Sequence, residues 1–151
     1  MLRRALVSDI PTMIEIVVKN DKRIKRDAEE EIIEIFHNKH GEFFIYEQNN
    51  NVAGFMGYKA KKWGGDDIYW AVWLYVDPKY KRKGVGTALY GKVEEEIKLK
   101  GGRKIYIDVG NEDSHKEAIK FHEKNGYELE AILKDFWEEG EHCLLYTKKL
   151  V

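Results

Sequence analysis

The 151-residue sequence predicts an α/β protein in which a mixed sheet of about seven strands carries helices on both faces. Two observations support this fold class. Strand-like and helix-like hydrophobic periods alternate along the chain in the order β-α-α-β-β-β-α-β-α-β-β. The segment IYWAVWLYV is a continuous apolar and aromatic run, which is typical of a strand buried on both faces. Because the sequence contains no repeat, low-complexity segment or linker, residues 1–151 are expected to form a single domain.

The N-terminal third contains the first five predicted elements. Residues 2–7 (LRRALV) form a short strand, and SDIPTMIEIVVKN forms a helix capped by Ser8 or Asp9. A second helix, DAEEEIIEIFHNKHG, is expected to place four apolar residues on one face: Ala28, Ile32, Ile33 and Phe36. EFFIYEQ and VAGFMGYKA flank an Asn cluster, and this arrangement predicts a β-hairpin.

The remaining elements follow the polar loop KKWGGDD. IYWAVWLYV is the buried strand and ends at Asp77-Pro78. The next helix has one apolar stripe, which is formed by Val85, Leu89, Val93 and Ile97. RKIYIDV predicts a strand and SHKEAIKFHEKNG a helix, near whose start Glu112 and Asp113 are capping candidates. YELEAILKDF and HCLLYTKKL predict a final hairpin.

Composition excludes several classes of partner. The chain has 26 Lys and Arg against 27 Asp and Glu, so no bulk charge attracts nucleic acid or an anionic membrane. No segment approaches the roughly 20 apolar residues that span a bilayer. The single cysteine, Cys143, permits no internal disulfide and fits a reducing compartment. A cytoplasmic protein without a nucleic-acid or membrane partner is therefore expected.

The helix after the buried strand begins in an unusual way. Four basic residues precede its glycines: Lys79, Lys81, Arg82 and Lys83. Helices usually begin with a polar cap and favour acidic residues in the first turn, so these cations oppose the helix dipole. Gly84 and Gly86 leave the free N–H groups of the first turn accessible. The segment KYKRKGVGT therefore predicts an anion-binding site.

Two familiar nucleotide motifs do not fit this segment. A P-loop requires Lys and then Ser or Thr after its last glycine, whereas Thr87 and Ala88 follow Gly86. A dinucleotide fingerprint requires a third glycine where Leu89 stands. Both motifs are excluded.

The segment LYVDPKYKRKGVGTAL instead resembles the GNAT family of acetyl-CoA-dependent N-acetyltransferases, with its Arg/Gln-x-x-Gly-x-Gly/Ala signature. AIKFHEKNGYE is similar to a second motif of that family, Ala-x-x-Leu-Tyr-x-x-x-Gly-Phe. The resemblance in element order covers nearly the whole chain. It implies the GNAT fold, acetyl-CoA as co-substrate, no metal, and direct attack by a primary amine in a ternary complex.

The resemblance also implies a set of cofactor contacts. The diphosphate would be held by seven consecutive residues: Lys81, Arg82, Lys83, Gly84, Val85, Gly86 and Thr87. Lys81 replaces the Arg or Gln of the signature and loses its planar fork. The pantetheine arm would pair with the main chain of Leu74, Tyr75 and Val76, where the buried strand splays from RKIYIDV. An N–H near Tyr75 or Val76 would face the thioester oxygen.

Further residues follow from the same resemblance. The tyrosine that protonates the leaving thiolate in many relatives is replaced by His122, whose imidazole can donate a proton near its usual pKa of about 6.5. An asparagine that contacts the pantetheine arm falls on His115, with Asn111 as the nearby alternative.

The general base has no clear candidate, because IYWAVWLYV contains no carboxylate. Asp67 or Asp66, just before that strand, are the preferred candidates, and Glu47 and Asp108 are weaker ones.

The acceptor is expected to be a small-molecule amine, a polyamine or a protein N-terminus. Six aromatic residues are candidates for its cleft: Trp63, Tyr69, Trp70, Trp73, Phe136 and Trp137. Strict alternation places Tyr69, Ala71, Trp73 and Tyr75 on one face of the buried strand. Homodimers are common in the family, although no motif here specifies one. The alternative function is an acyl-CoA-binding sensor or interaction domain without turnover.

Overall fold

The computed structural model describes residues 1–60, 63–111 and 115–151. Its strands are β1 (Leu2–Arg4), β2 (Gly41–Gln48), β3 (Asn51–Ala60), β4 (Ile68–Val76), β5 (Lys104–Val109), β6 (Glu128–Glu138) and β7 (Glu141–Lys149). Its α-helices are α1 (Ile10–Asn20), α2 (Lys25–Asn38), α3 (Val85–Leu99) and α4 (Lys116–Lys124). The element order is the predicted one. The start of the predicted loop, Lys61 and Lys62, and the capping candidates Glu112 and Asp113 lie outside the described residues.

The seven strands form one mixed sheet in the order β1-β2-β3-β4-β5-β7-β6. All neighbouring pairs are antiparallel except β4 and β5, which are parallel. These two strands are joined by α3, because parallel neighbours need a long crossover connection. In the part of the chain that the structure describes, no helix is long and apolar enough to cross a bilayer.

The sheet separates two apolar cores. The predicted stripe of α3 is confirmed: Val85, Leu89, Val93 and Ile97 are all buried in the core under α3 and α4. The other core lies under α1 and α2. There the prediction for Ile33 is wrong, because its side chain is 52% exposed and Ile35 is buried instead. Ala28, Ile32 and Ile35 follow the spacing of one helix face, whereas Ile33 lies about 100° away from Ile32.

Parallel pairing between β4 and β5 is short. Ile68 to Trp70 pair with Lys104 to Tyr106, and in the described residues the ladder ends there. The following residues of β4, Ala71 to Val76, remain paired with β3 only. The two central strands therefore diverge and leave a gap between their carboxyl ends, as the resemblance implied.

Candidate active site

A β-bulge lies on the β4 side of this gap. Phe55 of β3 pairs with Tyr75 and Gly57 pairs with Val72, so two residues of β4, Trp73 and Leu74, stand opposite one residue of β3. Trp73 has a φ of +52°, which is an outlier for a bulky residue. Such strain persists where surrounding structure enforces it, and it is concentrated at functional sites.

The bulge changes which side chains share a face. Trp73 and Tyr75 pack with Trp70 and Val72 on the side of α1 and α2. The opposite core, under α3 and α4, receives Tyr69, Ala71, Leu74 and Val76. The prediction of strict alternation is therefore wrong beyond Val72, because one extra residue reverses the register of the faces.

Main-chain directions follow from the ladder. Asp77 N donates to Ala53 O over 2.8 Å, immediately beyond the Val76–Gly54 pair. In an antiparallel ladder this geometry turns the N–H and C=O of Tyr75 toward Phe55 of β3. Of the two positions predicted to supply an N–H, Tyr75 thus directs its N–H toward β3 and away from the gap. The main-chain groups of Leu74 and Val76 face the gap instead, where Val76 O also accepts from Asn20 Nδ2 over 3.0 Å.

Helix α3 begins directly after β4 and its short connection. Gly84 is the N-cap residue with a φ of +80°, and no side chain caps the helix. A Cβ at Gly84 would meet no heavy atom within 4 Å, so the surface over the first turn is open. The side chains of Lys81, Arg82 and Lys83 are exposed around it. This geometry retains the predicted anion site, since free N–H groups and positive charge coincide.

The two glycines of the signature have different roles. At Gly86 a Cβ would lie 2.7 Å from Phe121 Cζ of α4. A side chain at Gly86 would have to displace Phe121, so this glycine permits the close packing of α3 on α4. Gly84 alone of the two opens onto the surface.

His122 lies in the core beneath the gap. Its side chain is only 6% exposed, and its Nδ1 lies 2.6 Å from Tyr90 Oη. Burial lowers the pKa of His122 to about 4. The imidazole is therefore neutral at pH 7, and the expectation of an ordinary pKa near 6.5 is wrong.

The two alternatives for a pantetheine contact differ in their surroundings. Asn111 Nδ2 donates to Gly140 O over 2.7 Å, and Asn111 Oδ1 accepts from His142 N over 2.6 Å. The amide thus ties the end of β5 to the β6–β7 turn. His115 is the N-cap residue of α4, and its Nδ1 lies 3.2 Å from Asn111 O. The side chain of His115 is the more exposed alternative at the mouth of the gap.

Asp67 lies at the opposite end of β4 from the bulge. Its carboxylate accepts from Arg103 Nε over 2.8 Å and from Arg103 Nη2 over 3.2 Å. Six residues separate it from Trp73, which is about 20 Å along a strand. Asp67 therefore lies at the end of β4 that remains paired with β5, away from the open carboxyl half of the strand.

The other base candidates, Asp66 and the weaker Glu47 and Asp108, differ in their position relative to the bulge. Glu47 on β2 accepts from Arg3 Nε over 2.5 Å, Asp66 is exposed in the loop beside Asp67, and Asp108 is exposed on β5. Asp108 lies two residues beyond Tyr106, the last β5 residue that pairs with β4, so of these three carboxylates it is the one on the strand segment that borders the gap.

Sequence reasoning missed Asp21, which follows α1. Burial raises the pKa of Tyr75, and the negative charge of Asp21 raises it further. The pKa of Asp21 itself is lowered, first by its hydrogen bond with Arg23 and to a smaller extent by His115. Asp21 thus interacts electrostatically with both Tyr75 and His115. The only sequence signal was an acidic residue between two helices, which usually indicates a cap.

The six predicted aromatic residues lie in four different parts of the structure. Trp73 lies at the gap, with its ring 5.9 Å from that of Tyr75. Phe136 and Trp137 are about half exposed on β6, near the turn that Asn111 holds. Trp63 stacks on Trp70 at 6.2 Å, and Tyr69 is buried in the other core. Of the six predicted aromatic residues, only Trp73 lies at the bulge itself.

Comparison with known proteins places this geometry in a family. The family model described as "Acetyltransferase (GNAT) family" matches residues 10–127, so the chain belongs to that family. A relative from Methanocaldococcus jannaschii, described as an uncharacterized N-acetyltransferase, is 31% identical over 96 residues. That match spans 61% of this chain and 41% of the relative, so the chain covers less than half of the relative's length.

Solved structures share the fold over the full chain. A Desulfovibrio desulfuricans protein described as an acetyltransferase of the GNAT family has a TM-score of 0.91 and 22% identity, covering 100% of this chain and 99% of its own. An aminoglycoside 6'-N-acetyltransferase complexed with coenzyme A has a TM-score of 0.84 and 15% identity, covering 100% and 97%. At these identities the likeness establishes the fold.

Proposed function

We propose that this protein transfers the acetyl group of acetyl-CoA to a primary amine. One observation carries the proposal: at the carboxyl end of β4 the strand loses its parallel neighbour, bulges at Trp73, and leads into an uncapped, cation-flanked helix start. The open main chain and the anion site are thus adjacent. A ligand with an amide-rich arm and a diphosphate matches both features.

In this proposal the two parts of the cofactor bind to two parts of the chain. The first-turn N–H groups of α3, from Gly84 to Thr87, hold the diphosphate, and Lys81 to Lys83 add positive charge. The pantetheine arm extends along Leu74 and Val76, whose main-chain groups face the gap. His115 lies at the mouth of that gap and is the preferred side chain for a further contact with the arm.

The acceptor amine approaches from the α1 side. Trp73 and Tyr75 present aromatic rings there, and the negative charge of Asp21 acts on the Tyr75 phenol. Aromatic faces and a carboxylate attract a cation, so we propose that the acceptor carries a positive charge beside its reacting amine. A small polyamine, an aminoglycoside, as in the structural neighbour with coenzyme A, and a basic peptide N-terminus all satisfy this chemistry.

The reaction needs an uncharged amine nitrogen. The nitrogen attacks the thioester carbon, a C–N bond forms, and the carbonyl electron pair moves to oxygen, where a gap-facing N–H of Leu74 or Val76 stabilises the charge. The intermediate then collapses, and the C–S bond breaks with its electron pair on sulfur. Asp21 is a poor base because its pKa is lowered, so the proton of the ammonium passes to solvent.

The test is thiol release from acetyl-CoA with a panel of polyamines, aminoglycosides, amino acids and N-terminal peptides. Calorimetry with acetyl-CoA alone is run in parallel. Turnover with a cationic amine is the expected outcome. Tight acetyl-CoA binding without turnover on any acceptor would favour a sensor instead, and absence of acetyl-CoA binding would contradict the proposed site.

A further inference from the structure

Tyr90 and His122 form an isolated hydrogen-bonded pair in the core under α3 and α4. Tyr90 Oη lies 2.6 Å from His122 Nδ1, and the Tyr90 side chain is 1% exposed. Among the described residues, His122 is the hydrogen-bond partner of this hydroxyl. The neighbouring Tyr127 has a different partner, because its hydroxyl donates to Glu94 Oε2 over 2.9 Å.

The direction of the Tyr90–His122 hydrogen bond follows from the need of both buried groups for a hydrogen-bond partner. A buried phenol has one proton to donate, and leaving that O–H without an acceptor is unfavourable. If His122 Nδ1 carried a proton, Tyr90 would have no acceptor in this pair. Tyr90 therefore donates to Nδ1, and the neutral imidazole carries its proton on Nε2.

Nε2 reaches accessible space. Among the described residues, no fully buried side-chain nitrogen or oxygen lacks a hydrogen-bond partner. The hydrogen bond of His122 is at Nδ1, so Nε2 cannot be fully enclosed. Since the whole residue is only 6% exposed, this small opening is where the N–H points.

The imidazole lies at the level where the gap begins. Its ring centre is 6.4 Å from that of Tyr146, which pairs with Ile107 of β5. Ile107 directly follows Tyr106, the last β5 residue that is paired with β4. Leu74 and Val76 border the same core and are only partly buried.

We infer that Tyr90 is a positioning residue: its hydroxyl fixes His122 in the Nε2–H form and directs that N–H into the gap as a hydrogen-bond donor to the leaving sulfur. The inference rests on the proposed function. His122 then stabilises the thiolate that carries the electron pair of the broken C–S bond, without giving up its proton. The thiolate takes its proton from solvent, so the products are the N-acetyl amine and the free thiol.

The first test is spectroscopic and needs no substrate. Long-range ¹H–¹⁵N correlation spectra of the intact protein at pH 7.5 distinguish an imidazole protonated at Nε2 from one protonated at Nδ1, with His122→Gln used to assign the signal. A single Nε2–H form is expected. An Nδ1–H form or an imidazolium at that pH would overturn the inference.

The second test separates positioning from packing. Tyr90→Phe keeps the ring and removes the donor, so kcat should fall about fivefold, as expected for one hydrogen bond of ordinary net strength, with KM for acetyl-CoA unchanged. Tyr127→Phe is the matched control, because its ring lies 4.9 Å from that of Tyr90 and its hydroxyl binds Glu94. The control should lose stability without changing kcat. Equal kcat values for the two variants would contradict a positioning role.

A third comparison distinguishes hydrogen-bond donation from proton transfer. The amide of His122→Gln can accept from Tyr90 and donate from its NH₂, but it cannot deliver a proton. His122→Gln should therefore retain more kcat than His122→Phe. Equal loss in both variants would identify His122 as a proton donor or as a structural residue.

These results also separate failure of the inference from failure of the proposed function. The imidazole spectrum is measured without acetyl-CoA, and calorimetry reports cofactor binding by itself. An Nε2–H imidazole with no acetyl-CoA binding would reject the proposed function, and with it the role at sulfur. An Nδ1–H imidazole in an active enzyme would reject only the inference.

Discussion

The two halves of β4 have similar sequences and different structures. Ile68 to Trp70 pair on both sides, with β3 and with β5, and form ordinary buried sheet. Trp73 to Val76 are equally aromatic and apolar, yet they bulge, lose β5 and turn main-chain groups into a gap. The proposed site thus arises from backbone groups released by the sheet and not from a change in side-chain chemistry along the strand.

The largest expected effect is on acetyl-CoA affinity. It comes from placing a negative charge where the second half of β4 leads into α3. Gly84→Glu puts a carboxylate into the open space over the first turn, where like charges would meet the diphosphate at a cost of several kcal/mol. Acetyl-CoA affinity should fall at least ~100-fold by calorimetry.

Two controls accompany Gly84→Glu. Gly84→Asn tests the positive φ without added charge, since Asn tolerates this conformation better than most residues. Gly91→Glu adds the same charge further along α3, where a side chain also meets open space. Both should bind acetyl-CoA within a few-fold of the wild type. A similar loss for Gly91→Glu would mean that general repulsion, and not a site at Gly84, explains the effect.

Deleting Trp73 should make the second half of β4 resemble the first half, which pairs with β3 without a bulge. Without this residue Leu74 stands opposite Met56, and Leu74, Tyr75 and Val76 keep their faces and their main-chain directions. The fold should be retained by circular dichroism, but the bulge that widens the gap would be lost. We expect kcat to fall by ~100-fold or more, comparable to loss of an oxyanion donor. Full activity of a folded deletion variant would show that the bulge is dispensable.

The free energy of unfolding should depend on pH through His122, which is buried in the core beneath the second half of β4. The pKa of His122 is lowered from 6.5 to about 4, so the unfolded chain binds a proton that the folded chain does not between these values. Stability attributable to His122 is therefore complete above pH 6.5 and is lost as the pH falls toward 4, by up to about 3 kcal/mol. Urea unfolding at pH 7.5 and 4.5 should show a larger loss for the wild type than for His122→Gln. Equal losses would contradict neutral burial of the imidazole.

The smallest effect on catalysis is expected from a substitution next to the first half of β4. Asp67→Asn removes an exposed ion pair with Arg103 about 20 Å from the bulge. Because exposed pairs contribute little and the carboxylate is remote, kcat and KM should stay within about twofold. A large fall in kcat, measured by thiol release, would support Asp67 as the base. It would mean that the reaction takes place near the first half of β4 and not near the second.

The local features of this protein could be predicted from short stretches of its sequence. The order of strands and helices, the buried stripe of α3, and an uncapped helix start at Gly84 preceded by cations all follow from periodicity and capping, which act over a few residues. The family signature rests on the same short stretch.

Which groups meet could not be predicted in this way, because it depends on contacts between distant segments. One extra residue at Trp73 moved Tyr75 to the α1 side and turned its N–H toward β3. Burial against Tyr90 made His122 neutral, and Phe121 explained Gly86. Register, main-chain direction and burial depend on pairing between segments far apart in the chain, whereas sequence periodicity reports only on neighbours.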